Sequence, residues 1–109
     1  MKLAILMYLD DDQDCVDRLL KEVKVESFSR LSVEGHRPGP AGGWYGDSAP
    51  YQSGMLISVL PDDHASRLVD AVAGCTGVQD PQHPIRVAVV DVEQFVCCER
   101  NIRNEGEES

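Results

Sequence analysis

The sequence predicts an α+β fold: a four-stranded antiparallel sheet, two helices on one face, and a long loop between strands 2 and 3. Three observations predict it. Residues 3–9 are almost continuously apolar, as in a strand buried on both faces. Two helical stripes recur with one spacing, Val16, Leu19, Leu20 and Val23, then Ala65, Leu68, Val69 and Val72, each at i, i+3, i+4 and i+7. Between these units, residues 36–53 carry Pro38, Gly39, Pro40, Gly42, Gly43, Gly46 and Pro50 and read as a loop.

Each element follows from local chemistry. The run of residues 3–9 forms strand 1, with Leu3, Ile5, Met7 and Leu9 alternating with Ala4, Leu6 and Tyr8. Asp10, Asp11, Asp12 and Asp14 suit the positive end of helix 1, whose outer side carries Asp17, Arg18, Lys21 and Glu22. Residues 28–34 form strand 2, with Leu31 and Val33 on one face and Gly35 as its stop. Residues 55–60 form strand 3, and Pro61 with Asp62 and Asp63 starts helix 2, which Gly74 ends. Residues 85–90 form strand 4, which residues 92–96 extend or follow with a short extra strand. Arg18-Leu19-Leu20 and Arg67-Leu68-Val69 hold equivalent places in the two halves, so the βαββαβ order fits the split βαβ, or ferredoxin-like, topology. With both helices on one face, the apolar second face requires a cover, and packing of one subunit's sheet on another's is the simplest.

At 109 residues the chain is one domain by length, read as residues 1–100 with an acidic tail at 101–109 containing Glu105, Glu107 and Glu108. A net charge of -9 lacks the field of a nucleic-acid or anionic-membrane binder. The apolar start is too short for a signal peptide, ends at Asp10-Asp11-Asp12 and lacks a small-residue cleavage site, and no stretch is long enough to span a membrane. A cytoplasmic location is expected, in which Cys15, Cys75, Cys97 and Cys98 are reduced thiols rather than a disulfide framework.

Short motifs fall at defined places in this order. Val33-Glu34-Gly35 followed by His36-Arg37 opens the long loop, Thr76-Gly77 opens the connection to strand 4, and Val92-Glu93, Ile102-Arg103 and Gly106-Glu107 close the chain. On these stretches, and on the order of elements, the sequence resembles the P-II signal-transduction family. They are similar to that family's V-x-G-x-G loop start without its second Gly, its phosphate-facing Thr-Gly, and its V-E…I-R-T-G-E ending with one extra residue. The resemblance implies a homotrimer that holds an effector, an ATP, ADP or AMP type of nucleotide or another anion, in clefts between subunits. It also implies that the 36–53 loop docks onto a target protein. The chain departs from the family at residues 78–84, where a G-D-G-K stretch is missing, and at Leu60-Pro61-Asp62, where a lysine is missing. Neither Tyr45 nor Tyr51 sits in the family's Tyr-containing modification sequence. Divergent relatives of this kind are associated with transport of small ions, so a membrane transporter is among the expected partners.

Phosphate requires backbone N–H groups or cationic forks. Gly77 would give close backbone approach, the resemblance adds Gly35 and Thr76 to the site, and Arg37, Arg86, Arg100 and Arg103 would supply charge; alternatively these arginines are surface residues paired with the abundant carboxylates. His36 and His83 are the weak metal candidates, but they, with His64, form no compact ligand motif, and adjacent Cys97 and Cys98 point to opposite faces of a strand. Trp44, Tyr45 and Tyr51 are aromatics of the Gly/Pro-rich loop and read either as partner anchors or as groups folded back on the subunit. Cys15 and Cys75, on or just beyond the helices, read as packed thiols. No set of acid, base and nucleophile can be named, so the expectation is a regulatory binding module and not an enzyme. The runner-up is a metal-handling protein resembling the CutA family, which shares the trimeric plan with a shorter middle connection.

Overall fold

A computed structural model describes residues 1–36, 50–78, 80 and 83–98. The elements run β1 (Lys2–Leu9), a 3-10 turn (Asp10–Asp12), α1 (Gln13–Glu22), β2 (Ser29–Gly35), β3 (Tyr51–Leu60), α2 (Asp62–Ala73) and β4 (Arg86–Asp91). The result is a mixed α+β fold with one four-stranded sheet in the order β2-β3-β1-β4, every neighbouring pair antiparallel. Among the described residues no helix is long and apolar enough to cross a membrane.

β1 is a central strand, paired with β3 from Lys2↔Leu60 to Leu9↔Ser53 and with β4 from Lys2↔Asp91 to Met7↔Arg86. Its side chains alternate strictly. Ala4, Leu6 and Tyr8 are buried and share a core with Val16, Leu19 and Leu20 of α1, Leu56 and Leu60 of β3, and Ala65 and Leu68 of α2. Fully burying each such Leu contributes roughly 1.5–3 kcal/mol. The odd residues Leu3, Ile5, Met7 and Leu9 are only half-buried, because no helix lies over them.

That second face is mostly apolar, with Arg86 as its charged residue on β4. Register sets Leu3 beside Val59 and Val90, Ile5 beside Ile57, and Met7 beside Met55, which in turn faces Leu31 of β2. Leu31 is 46% exposed and Val90 50%. At one end of this face a hollow of about 390 Å³ lies between Leu3, Phe28, Ile57, Val59 and Phe95.

α1 closes with a Schellman motif. Val25 N–H donates to Leu20 O at 2.9 Å and Lys24 N–H to Lys21 O at 3.2 Å, with Lys24 in the left-handed region at φ 62. Val25 and Leu20 then meet in the core. A lysine stands where glycine is usual, which hides this stop in the sequence.

β3 begins four residues before the expected Met55. Gly54 faces Tyr8 in register, and a Cβ there would lie 2.5 Å from the Tyr8 ring. The glycine makes room for a buried aromatic inside a continuous strand. Tyr51, expected in the loop, is therefore a strand residue, and the connection shortens to residues 36–50, of which 37–49 lie outside the described residues. The extension of β4 over residues 92–96 is not formed. Val92 N–H bonds Met1 O at 3.2 Å, and residues 92–96 carry no strand assignment. The tail at 101–109 lies outside the described residues.

Relief of the left-handed strain at position 24 gives a stability prediction. Lys24→Gly is expected to raise the unfolding free energy by about 0.5–1 kcal/mol in urea titrations, because glycine lacks the Cβ penalty of that conformation. A loss of stability would contradict the assigned helix stop.

Candidate functional site

Four strand ends meet at one edge of the sheet: β1 and β2 finish there, and β3 and β4 begin there. This is also where the connection after Gly35 leaves and Tyr51 returns. A cleft of about 380 Å³ opens between the end of β1 (Leu9, Asp10, Asp11), the start of β3 (Tyr51, Gln52) and two residues of the α2–β4 connection (Asp80, His83).

Local geometry fixes the cleft's polar groups. His83 Nδ1–H donates to Asp80 Oδ2 at 2.9 Å, and His83 N–H donates to Asp80 O at 2.9 Å. The Asp80 carboxylate orients the imidazole and leaves Nε2 as its other polar atom. The Tyr51 ring meets the His83 ring edge-on, centroids 4.4 Å apart at 71°. Tyr51 also lies over Gly35, its partner in register; a Cβ at Gly35 would sit 2.1 Å from the ring. Gly35 is thus required as the floor beneath Tyr51.

The electrostatics of the lining are acidic. Asp10, Asp11 and Asp80 face the cleft, and no Lys or Arg lines it among the described residues. Carboxylates accept hydrogen bonds, so this end suits hydroxyl or amino donors rather than phosphate oxygens. Arg86 is exposed on β4 opposite Met7, on the open face and outside the cleft lining.

Thr76 and Gly77 are exposed on the connection that leads to Asp80 and His83. Gly77 lies against α1, where a Cβ would be 4.0 Å from Cys15 Sγ. Cys15 Sγ and Cys75 Sγ are 3.4 Å apart. Burial pushes the Cys15 thiol pKa up, the Cys75 contact adds to this, and Arg18 pulls the other way.

Of the residues expected to meet an anion, Gly35 stands beside the cleft, Thr76 and Gly77 on its connection, and Arg86 away from its lining. Arg37, Arg100, Arg103, Trp44 and Tyr45 fall outside the described residues. His36 pairs with Glu34 at 2.6 Å on the surface. Among the described residues no group of three or more His, Cys, Asp or Glu is placed to hold a metal ion, so neither His36 nor His83 belongs to one.

Sequence reasoning missed Asp80, Asp10, Asp11 and Gln52 as cleft residues. The i, i+3 spacing of Asp80 and His83 before Pro84 was the available signal for the first. It also missed Arg30, which anchors β2 to the helical layer. Arg30 Nε–H donates to the Tyr8 hydroxyl at 2.7 Å and its terminal N–H to Asp17 Oδ1 at 2.5 Å, with the guanidinium 5.4 Å from the Phe28 ring.

No protein-family model matches the sequence, and no curated protein matches it.

The contact between Gly35 and Tyr51 is tested by a double-mutant cycle. Gly35→Ala is expected to cost about 1–3 kcal/mol through overpacking, and no more than about 0.5 kcal/mol when Tyr51→Ala is already present. Equal costs in both backgrounds would place the ring elsewhere.

Proposed function

We propose that the chain is a regulatory binding module of the P-II type, built on a ferredoxin-like subunit. It acts as a cytoplasmic homotrimer that senses a small effector and controls a partner protein through the connection after Gly35. The strand order supports the topology: from the β4 edge it runs β4-β1-β3-β2, with both helices in the core of one face. The open apolar face supports self-association, since a continuous apolar patch of this kind is buried in stable proteins.

The observation that carries the reading is the cleft at the loop end, with its Tyr51–His83 ring pair among hydrogen-bond acceptors. An adenine nucleotide fits this chemistry. The base stacks on an aromatic surface, and its exocyclic amine and the ribose hydroxyls donate to Gln52 and the aspartates. Its phosphates would be kept away from the carboxylates, and the arginines expected to meet an anion, Arg37, Arg86, Arg100 and Arg103, are the residues whose charge would suit them. An effector that binds one arrangement of the connection more tightly than another shifts its population, and the partner reads the difference. Trp44 and Tyr45 supply the contact surface.

A thermal-shift panel of ATP, ADP, AMP, bicarbonate, copper and zinc tests this. A saturating adenine nucleotide is expected to raise the melting temperature by several degrees, since ligand at 100 times its Kd adds about 2.7 kcal/mol. His83→Ala is expected to abolish that rise while leaving the ligand-free transition cooperative. No shift with any nucleotide sinks the proposal, and a shift confined to copper or zinc replaces it with a CutA-like metal-handling role.

A further inference from the structure

The two inner cysteines form a juxtaposition that packing alone does not require. Cys15 lies in the first turn of α1 and Cys75 directly follows the Gly74 cap of α2, yet their sulfurs are 3.4 Å apart across 60 residues of sequence. Both are half-buried, at the margin of the core rather than inside it. The geometry points to Cys15 and Cys75 as a reversible dithiol–disulfide pair, oxidised by a low-molecular-weight disulfide.

The two ends differ in how the backbone holds them. Cys15 is held by α1, whose neighbouring Val16 is fully buried. Cys75 lies in irregular chain leading to exposed Thr76 and Gly77, and keeps one backbone bond, from its N–H to Val72 O at 3.1 Å. Closing the sulfur gap from 3.4 Å to the ~2.05 Å of a disulfide therefore moves the start of the α2–β4 connection toward α1.

The chemistry balances by exchange. One protein thiolate attacks oxidised glutathione, forming a mixed disulfide and expelling one glutathione thiolate. The second protein thiolate then attacks the protein sulfur of that mixed disulfide and expels the second. The protein dithiol loses two electrons and two protons, and oxidised glutathione is reduced to two thiols. The bond ties the start of the connection that leads to Asp80 and His83 to α1. The bond itself requires only the two thiols and is independent of what the cleft binds.

The test uses the full chain carrying Cys97→Ser and Cys98→Ser, incubated with oxidised glutathione and quenched by alkylation. The expected product has lost about 2 Da, one hydrogen from each thiol, and carries no glutathione. Peptide mapping links Cys15 to Cys75, and the melting temperature rises by on the order of 10 °C, reversibly with dithiothreitol. Adding Cys75→Ser is expected to remove both the link and the rise. Two alkylated thiols, a persistent glutathione adduct or a link only between chains would each overturn the proposal. The mass and mapping results on the chain with both inner cysteines decide the matter even where Cys75→Ser folds poorly.

Discussion

The structure depends on β1 being apolar on both faces while hydrogen-bonded on both edges. As a central strand it cannot leave either face in water without cost. Its even residues, Ala4, Leu6 and Tyr8, draw α1 and α2 onto one side of the sheet, and the interlocking at Tyr8 shows how tightly. The ring is accommodated only because Gly54 faces it, and its hydroxyl accepts from Arg30, which in turn holds Asp17 of α1. One side chain thus couples β1, β2, β3 and α1.

The odd residues of the same strand create the opposite situation. Leu3, Ile5 and Met7 continue into Val59, Ile57, Met55, Leu31 and Val90 as one apolar surface with no helix above it. Only copies of the subunit, in the proposed assembly, cover it. The cleft lies at the edge of this sheet, where the strand ends stop hydrogen-bonding and their side chains and loops become available. Tyr51 is set there by strand register, Gly35 gives it room, and the Asp80–His83 pair closes the third wall. The sheet that demands a cover therefore also frames the site.

The repeated helical stripes and the two-faced strand made the order and type of elements legible in the sequence, because both signals are periodic. Less legible was whatever depends on a partner distant in sequence. The role of Gly54 depends on Tyr8 standing opposite it, and Lys24 hides a helix stop that glycine would have announced. By sequence alone Tyr51 belongs with the Gly/Pro-rich segment, because only its pairing with Gly35 makes it a strand residue. In the candidate site, Gly35 and His83 were singled out as residue types, but their meeting through Tyr51 was not. The acidic character of the cleft was hidden as well, since Asp10 and Asp11 read equally well as helix-capping groups.

The central claim is that copies of the chain bury the open sheet face, and sedimentation velocity at micromolar concentration tests it most directly. The account predicts a trimer for the natural sequence. Ile57→Glu, a charge placed on that face at a side chain 37% exposed in the subunit, is predicted to sediment as a monomer with an unchanged far-ultraviolet circular dichroism spectrum. A natural chain that sediments as a folded single subunit, or an Ile57→Glu trimer as stable as the original, would contradict it.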